Sequence, residues 1–162
     1  MMKELRLSLA LILVFCATAA RADELWVISA GDDFAYFIDA ESIVTVPGDV
    51  RKASVHQVFF QPRHVGEETP VRVVSIEFDF DCVASTYQQL FGIGIDDSMN
   101  QITSFEASEP RPLNPRTNVG VAGEFACADQ ASRNQFAQKL GGDASLEEAV
   151  RVSRVLENPT GP

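Results

Sequence analysis

Apolar and polar positions alternate most plainly over residues 71–82. Val74, Ile76, Phe78, Phe80 and Cys82 fall on one face, and Val73, Ser75, Glu77, Asp79 and Asp81 on the other. The pattern predicts a strand whose apolar face meets a core, and it turns Cys82 inward with that face. Shorter runs rich in β-branched and aromatic residues, parted by turn residues, predict strands over 25–29, 34–39 and 42–46, and over 50–60 after the Pro47, Gly48 turn. Residues 87–95 form another, with Gly92 and Gly94 permitting a bulge or a bend, and 101–106 follow a turn at 96–100. Residues 109–118 carry Pro110, Pro112 and Pro115 with Arg111 and Arg116, and read as an irregular loop because proline lacks the donor a sheet interior needs. Residues 119–127 are expected to return as a last strand.

The periodicity then changes. Asp129 can cap a helix reaching Leu140, with Phe136 and Leu140 four apart and Gly141 as the stop. Ser145 and Glu148 have capping-box spacing for a second helix, striped by Leu146, Ala149 and Val150. Glu147 can pair with Arg151 one turn on. The expectation is an α+β fold: an antiparallel sheet of about six strands, partly curled, with the C-terminal helices packed on one face. One domain accommodates it, β-rich over 23–128 and helical over 129–157, with a frayed tail at 158–162.

The amino terminus adds a compartment. Lys3 and Arg6 precede an apolar run over 7–17, and small residues lead to Ala22, the pattern of a signal peptide cleaved between Ala22 and Asp23. The run is too short for a bilayer span, which takes about 20 residues. Cys16 lies within it behind the bulky Phe15, a poor context for a lipid acceptor. Cleavage leaves Cys82 and Cys127, an even count suited to one buried bridge in an oxidising compartment, the periplasm first and the cell surface or medium next. Closing that loop removes roughly 4 kcal/mol of unfolded-chain entropy. The bridge is expected to hold the helical cover against the sheet.

The full chain has a net charge of −10, and the expected mature chain, with 10 basic and 22 acidic residues, one of −12. Such a surface repels phosphate backbones, so nucleic acid and anionic membranes are poor partners.

Candidate chemistry is sparse. His56 and His64 bracket Pro62 and are expected on different elements or across a turn, with no spacing typical of zinc. Asp96, Asp97, Ser98 and Asn100 place oxygens at alternate positions, but lack the central glycine and distal glutamate of a calcium loop, so they read as turn chemistry. Glu77, Asp79 and Asp81 read as a solvated carboxylate ladder, and Trp26 as core. No nucleophile elbow, phosphate loop or redox dithiol is present. The chain reads as a non-enzyme with no cofactor and no metal.

Trp26 near the expected mature start, the stretch Tyr36, Phe37, Ile38, Asp39 with Glu41, Ser42 and Ile43, then Ser75, the pair Asp81 and Cys82, and the late Cys127 come in a distinctive order. Over residues 25–128 the chain resembles the surface-adhesin protein E family. Phe105 stands where that family pattern has a tryptophan, and the 109–118 loop is longer. The resemblance implies an antiparallel sheet with a helix bridged to it, and an adhesive role toward host or envelope proteins. The resulting expectation is an exported, non-enzymatic binding domain, a monomer, with Arg111 and Arg116 as its candidate binding loop. The alternatives are an accessory subunit of an envelope complex and a carrier holding an apolar or haem-like ligand between sheet and helices.

Overall fold

A computed structural model describes residues 24–65, 70–141 and 145–157. The expected signal peptide, its cleavage point at Ala22 and Asp23, and the tail at 158–162 lie outside them. Among the described residues, nine strands form one open antiparallel sheet: β1 Leu25–Ala30, β2 Phe34–Asp39, β3 Val44–Val46, β4 Val50–Arg63, β5 Val71–Asp81, β6 Thr86–Ile95, β7 Gln101–Phe105, β8 Arg111–Pro112 and β9 Gln138–Lys139. Their order is β7, β6, β5, β4, β2, β1, β9; β3 extends the β2 position along β4, and β8 extends the β7 position along β6. The sheet has more strands than the expected six, because short segments pair at its rim.

Two-residue alternation on β2, β4 and β5 gives the sheet two apolar faces. Tyr36 and Ile38, Ala53 and Val55, and Phe78 and Phe80 pack with Ala122, Phe125 and Ala126 of helix α1, Asn118–Cys127. Their strand neighbours Ala35 and Phe37, Val58, and Val73 pack with Ala149 and Val150 of helix α2, Leu146–Glu157. Successive strand residues point to opposite faces, so the two helices cover opposite faces, not the one face expected.

Helix α1 replaces the strand expected over 119–127. Thr117 caps it by accepting from the Gly120 N–H at 3.1 Å, and the buried positions 122, 125 and 126 follow helical spacing. Gly120 and Gly123 let it lie close: a Cβ on Gly120 would stand 1.8 Å from the Asn114 carbonyl oxygen. Cys127 ends the helix and bridges Cys82 just past β5, across a sequence separation of 45 and a Cα–Cα distance of 5.6 Å. Both cysteines are half-buried, so the bridge sits at the rim of the core, not within it.

The helix expected from Asp129 to Leu140 is also replaced. Asp129 accepts from the Ser132 N–H at 3.0 Å and opens a turn into a single 3-10 turn, Arg133–Gln135, after which β9 pairs with Trp26 and Val27. Pairing the outer edge of β1 outweighs local helix propensity there. Glu24 accepts from the Trp26 indole N–H at 2.9 Å and meets Lys139 at 3.2 Å, which clamps β9 in place. The indole N–H first, and then Lys139, lower the Glu24 pKa. Trp26 meets Phe125 with ring planes tilted by 56° and centroids 5.2 Å apart, packed against the core. In α2, Ser145 accepts from the Glu148 N–H at 3.2 Å as expected, while Arg151 pairs with Glu148, not Glu147.

The irregular loop contains β8, with Pro112 opposite Thr86 at the rim, where a missing donor costs little. The break in β6 falls at Leu90, where the register with β5 shifts, and Gly92 serves close packing instead, under Ile76 and Phe105.

Cys127→Ser, or reduction of the native protein, should lower unfolding free energy by up to about 4 kcal/mol in denaturant titrations. Gly120→Ala should cost about 3 kcal/mol through its collision with backbone, whereas Gly31→Ala, with open space at its Cβ, should leave the thermal midpoint unchanged.

Candidate functional site

The α2 side of the sheet is only half covered by a helix. Along β4 and β5, register pairs Val58 with Val73 beneath α2, then His56 with Ser75, Ser54 with Glu77, Lys52 with Asp79, and Val50 with Asp81. The outer strands continue these rows: Ile93, Phe91, Gln88 and Thr86 on β6, and Val44 opposite Lys52 on β3. Among the described residues, no helix crosses the rows from Ser54 to Asp81. The carboxylates Glu77, Asp79 and Asp81 thus share this face, each partly buried, and Lys52 reaches Glu77 at 3.9 Å.

This open half is flanked by apolar groups. Phe91 and Val44 are each 51% exposed, on opposite sides of the polar rows. Between the rows and the proline loop, Val50, Asp79, Asp81, Thr86, Gln88 and Pro110 line a groove of about 150 Å³. The Oδ1 of Asp79 is buried and accepts no hydrogen bond among the described residues. Large apolar groups beside hydrogen-bonding groups make a surface suited to macromolecular contact.

The other sequence-identified residues are dispersed. Arg111 lies on β8 opposite Tyr87, and Arg116 lies in the turn before α1, its N–H donating to Asn114 at 3.0 Å. Both are exposed, and neither is in an ion pair among the described residues. His56 is within β4 and His64 immediately follows it, because the strand runs on through Pro62 to Arg63. They therefore lie along one extended segment, not across a turn. Among the described residues, no group of three or more His, Cys, Asp or Glu could hold a metal ion. No helix there is long and apolar enough to cross a membrane.

A cluster the sequence reading missed fastens α2 to the sheet. Where β4 and β5 lose register between Val58 and Arg63, the carbonyls of Phe59 and Phe60 leave the ladder and accept from Arg72 Nη1 at 3.1 and 2.5 Å. Arg72 is 2% exposed, and its Nε and Nη2 donate to the Asp97 carboxylate at 2.6 and 3.2 Å. Arg154 of α2 donates to the Asp97 carbonyl at 2.6 Å and to its carboxylate at 3.1 Å. Asp96 holds the turn that presents Asp97, accepting from the N–H groups of Ser98 and Asn100, both at 2.8 Å. A charged residue inside the apolar run 71–74 was the signal in the sequence, since a buried guanidinium requires a counter-charge.

The Asp97 pKa is lowered, chiefly by its hydrogen bonds from Arg72 and then by the nearby charges of Arg72 and Arg154. A carboxylate whose folded pKa is depressed stabilises the fold fully above its unfolded value, and that stability is lost as pH falls through the folded value. Thermal midpoints of the native chain should therefore fall as pH drops below about 4. Asp97→Asn should lower the midpoint at neutral pH and flatten that acid limb.

No family model and no curated protein sequence matches the chain. Among solved structures, the crystal structure of protein E from non-typeable Haemophilus influenzae is similar at 14% identity, covering 84% of this chain and 90% of that chain with a TM-score of 0.45. The likeness is distant and lies at the level of the fold.

Proposed function

We propose that the chain is an exported, non-enzymatic interaction domain that binds a protein partner through the open half of its α2-side sheet face. The observation that carries this reading is the exposure of Phe91 and Val44 on either side of the polar rows of β4 and β5. Interfaces concentrate binding free energy in such aromatic anchors surrounded by polar groups. Asp79 and Asp81 line the groove beside them, and the Cys82–Cys127 bridge fits an oxidising compartment reached through the signal sequence. The order of Trp26, the Asp81–Cys82 pair and Cys127, with its resemblance to surface adhesins, points to a host-surface or envelope protein as partner. Arg111, opposite Tyr87 and so on the α1-side face, and Arg116, in the turn before α1, stand apart from this surface and are not assigned to it.

A photo-crosslinking residue placed at Phe91 in the protein's own cells tests the site, with one at exposed Gln130 as control. The expected outcome is a protein adduct of discrete mass at position 91 that is absent at position 130. Identical adducts at both positions, or none at 91 in the presence of envelope and matrix proteins, would refute it.

A further inference from the structure

The covered half of the same face contains a second feature. Between α2 and strands β1, β2 and β4 lies a cavity of about 160 Å³, walled mainly by Val27, Ala35, Phe37, Val58, Phe60 and Ala149. Among the described residues, Ser153 is the one polar residue in its lining, and its hydroxyl donates to the Val150 carbonyl at 2.7 Å, so its donor is already committed. Among the described residues, no charged side chain lines the cavity. Arg154, next along α2, is turned to Asp97.

An enclosed apolar cavity of about 150 Å³ accepts a guest the size of benzene, about six carbons. This cavity also opens to solvent on one side, so a longer guest can leave its polar end outside. Small residues on facing elements create the space: Ala35 on β2 and Ala149 on α2 are both buried where larger side chains would close it. A wall with no available donor or charge selects against polar guests, because a buried polar group without a partner is costly.

We propose that the cavity beneath α2 seats the end of an aliphatic chain belonging to an amphiphile such as a fatty acid, whose head group stays at the mouth. Asp97, gripped by Arg72 and Arg154, holds α2 over the site. The proposal is independent of the Phe91 surface, which lies on the uncovered rows.

Calorimetric titration of the intact, bridged protein with hexanoate, octanoate and dodecanoate, all below micelle formation, tests it. Affinity should rise about fourfold per methylene while the added carbons enter the cavity, then level off. Ala149→Leu and, separately, Ala35→Leu fill the space and should each weaken octanoate binding by at least about tenfold, with the Phe91 crosslink retained. A parallel arm measures sedimentation with phosphatidylcholine vesicles: vesicle binding lost in the same variants identifies membrane lipid as a source of the chain, and binding to the fatty acids alone identifies free amphiphile. Absence of saturable binding in both arms, or binding unchanged in a filling variant that keeps its native circular dichroism, would overturn the proposal.

Discussion

The long antiparallel pairing of β4 with β5 is the constraint on which the rest of the molecule depends. Its register runs without interruption from Val50 opposite Asp81 to Val58 opposite Val73. Because side chains alternate along both strands, this one register decides which residues meet α1 and which meet α2. A slip of one residue would exchange the faces, sending Phe78 and Phe80 toward the open rows and Glu77 and Asp79 beneath α1. The apolar side chains that α1 must bury make that exchange costly, and the bridge at Cys82 adds a covalent check at the end of β5.

The two sheet faces are closed by different physics. On the α1 side, Phe80 and Phe125 are fully buried, the helix lies close through Gly120 and Gly123, and its last residue is covalently joined to the end of β5. On the α2 side, Leu146, Ala149 and Val150 are among the apolar residues that meet the sheet, no covalent link joins the helix to a strand among the described residues, and the charged cluster centred on Asp97 adds a further attachment. The first arrangement leaves little for a ligand to exploit. The second leaves both a cavity and an uncovered surface, so the binding proposals fall on that face.

Much of this was legible in the sequence where local pattern and tertiary demand agree. The alternation over 71–82 gave β5 its facing, and the aromatic run of β2 matches its observed bounds of Phe34–Asp39. Legibility failed where long-range partners decide. Val119 and Val121 mimic a strand, and two glycines lower helix propensity, yet packing on Phe80 and the Thr117 cap make the segment a helix. The edge of β1 recruited Gln138 and Lys139 into a strand no local signal announced. Arg72 is separated by 25 positions from Asp97, and Asp97 by 57 from Arg154, so no window could reveal their meeting. The open rows needed the register itself: Phe91 and Val44 share a face only because β6 and β3 flank the central pair.

The contrast between a covalently tethered helix and one held by packing and ions bears on how the molecule breathes. Proteins open in cooperative pieces, the least anchored first. With no covalent tether among the described residues, α2 is expected to open before the β4–β5 ladder and α1, and amide protons along α2 would exchange with solvent on a faster clock than those of the central strands. Such an excursion uncovers Val58, Val73 and Phe37 briefly, without unfolding the sheet. In such an opening the second apolar face would meet the medium, whether to admit a guest or to be met by another surface.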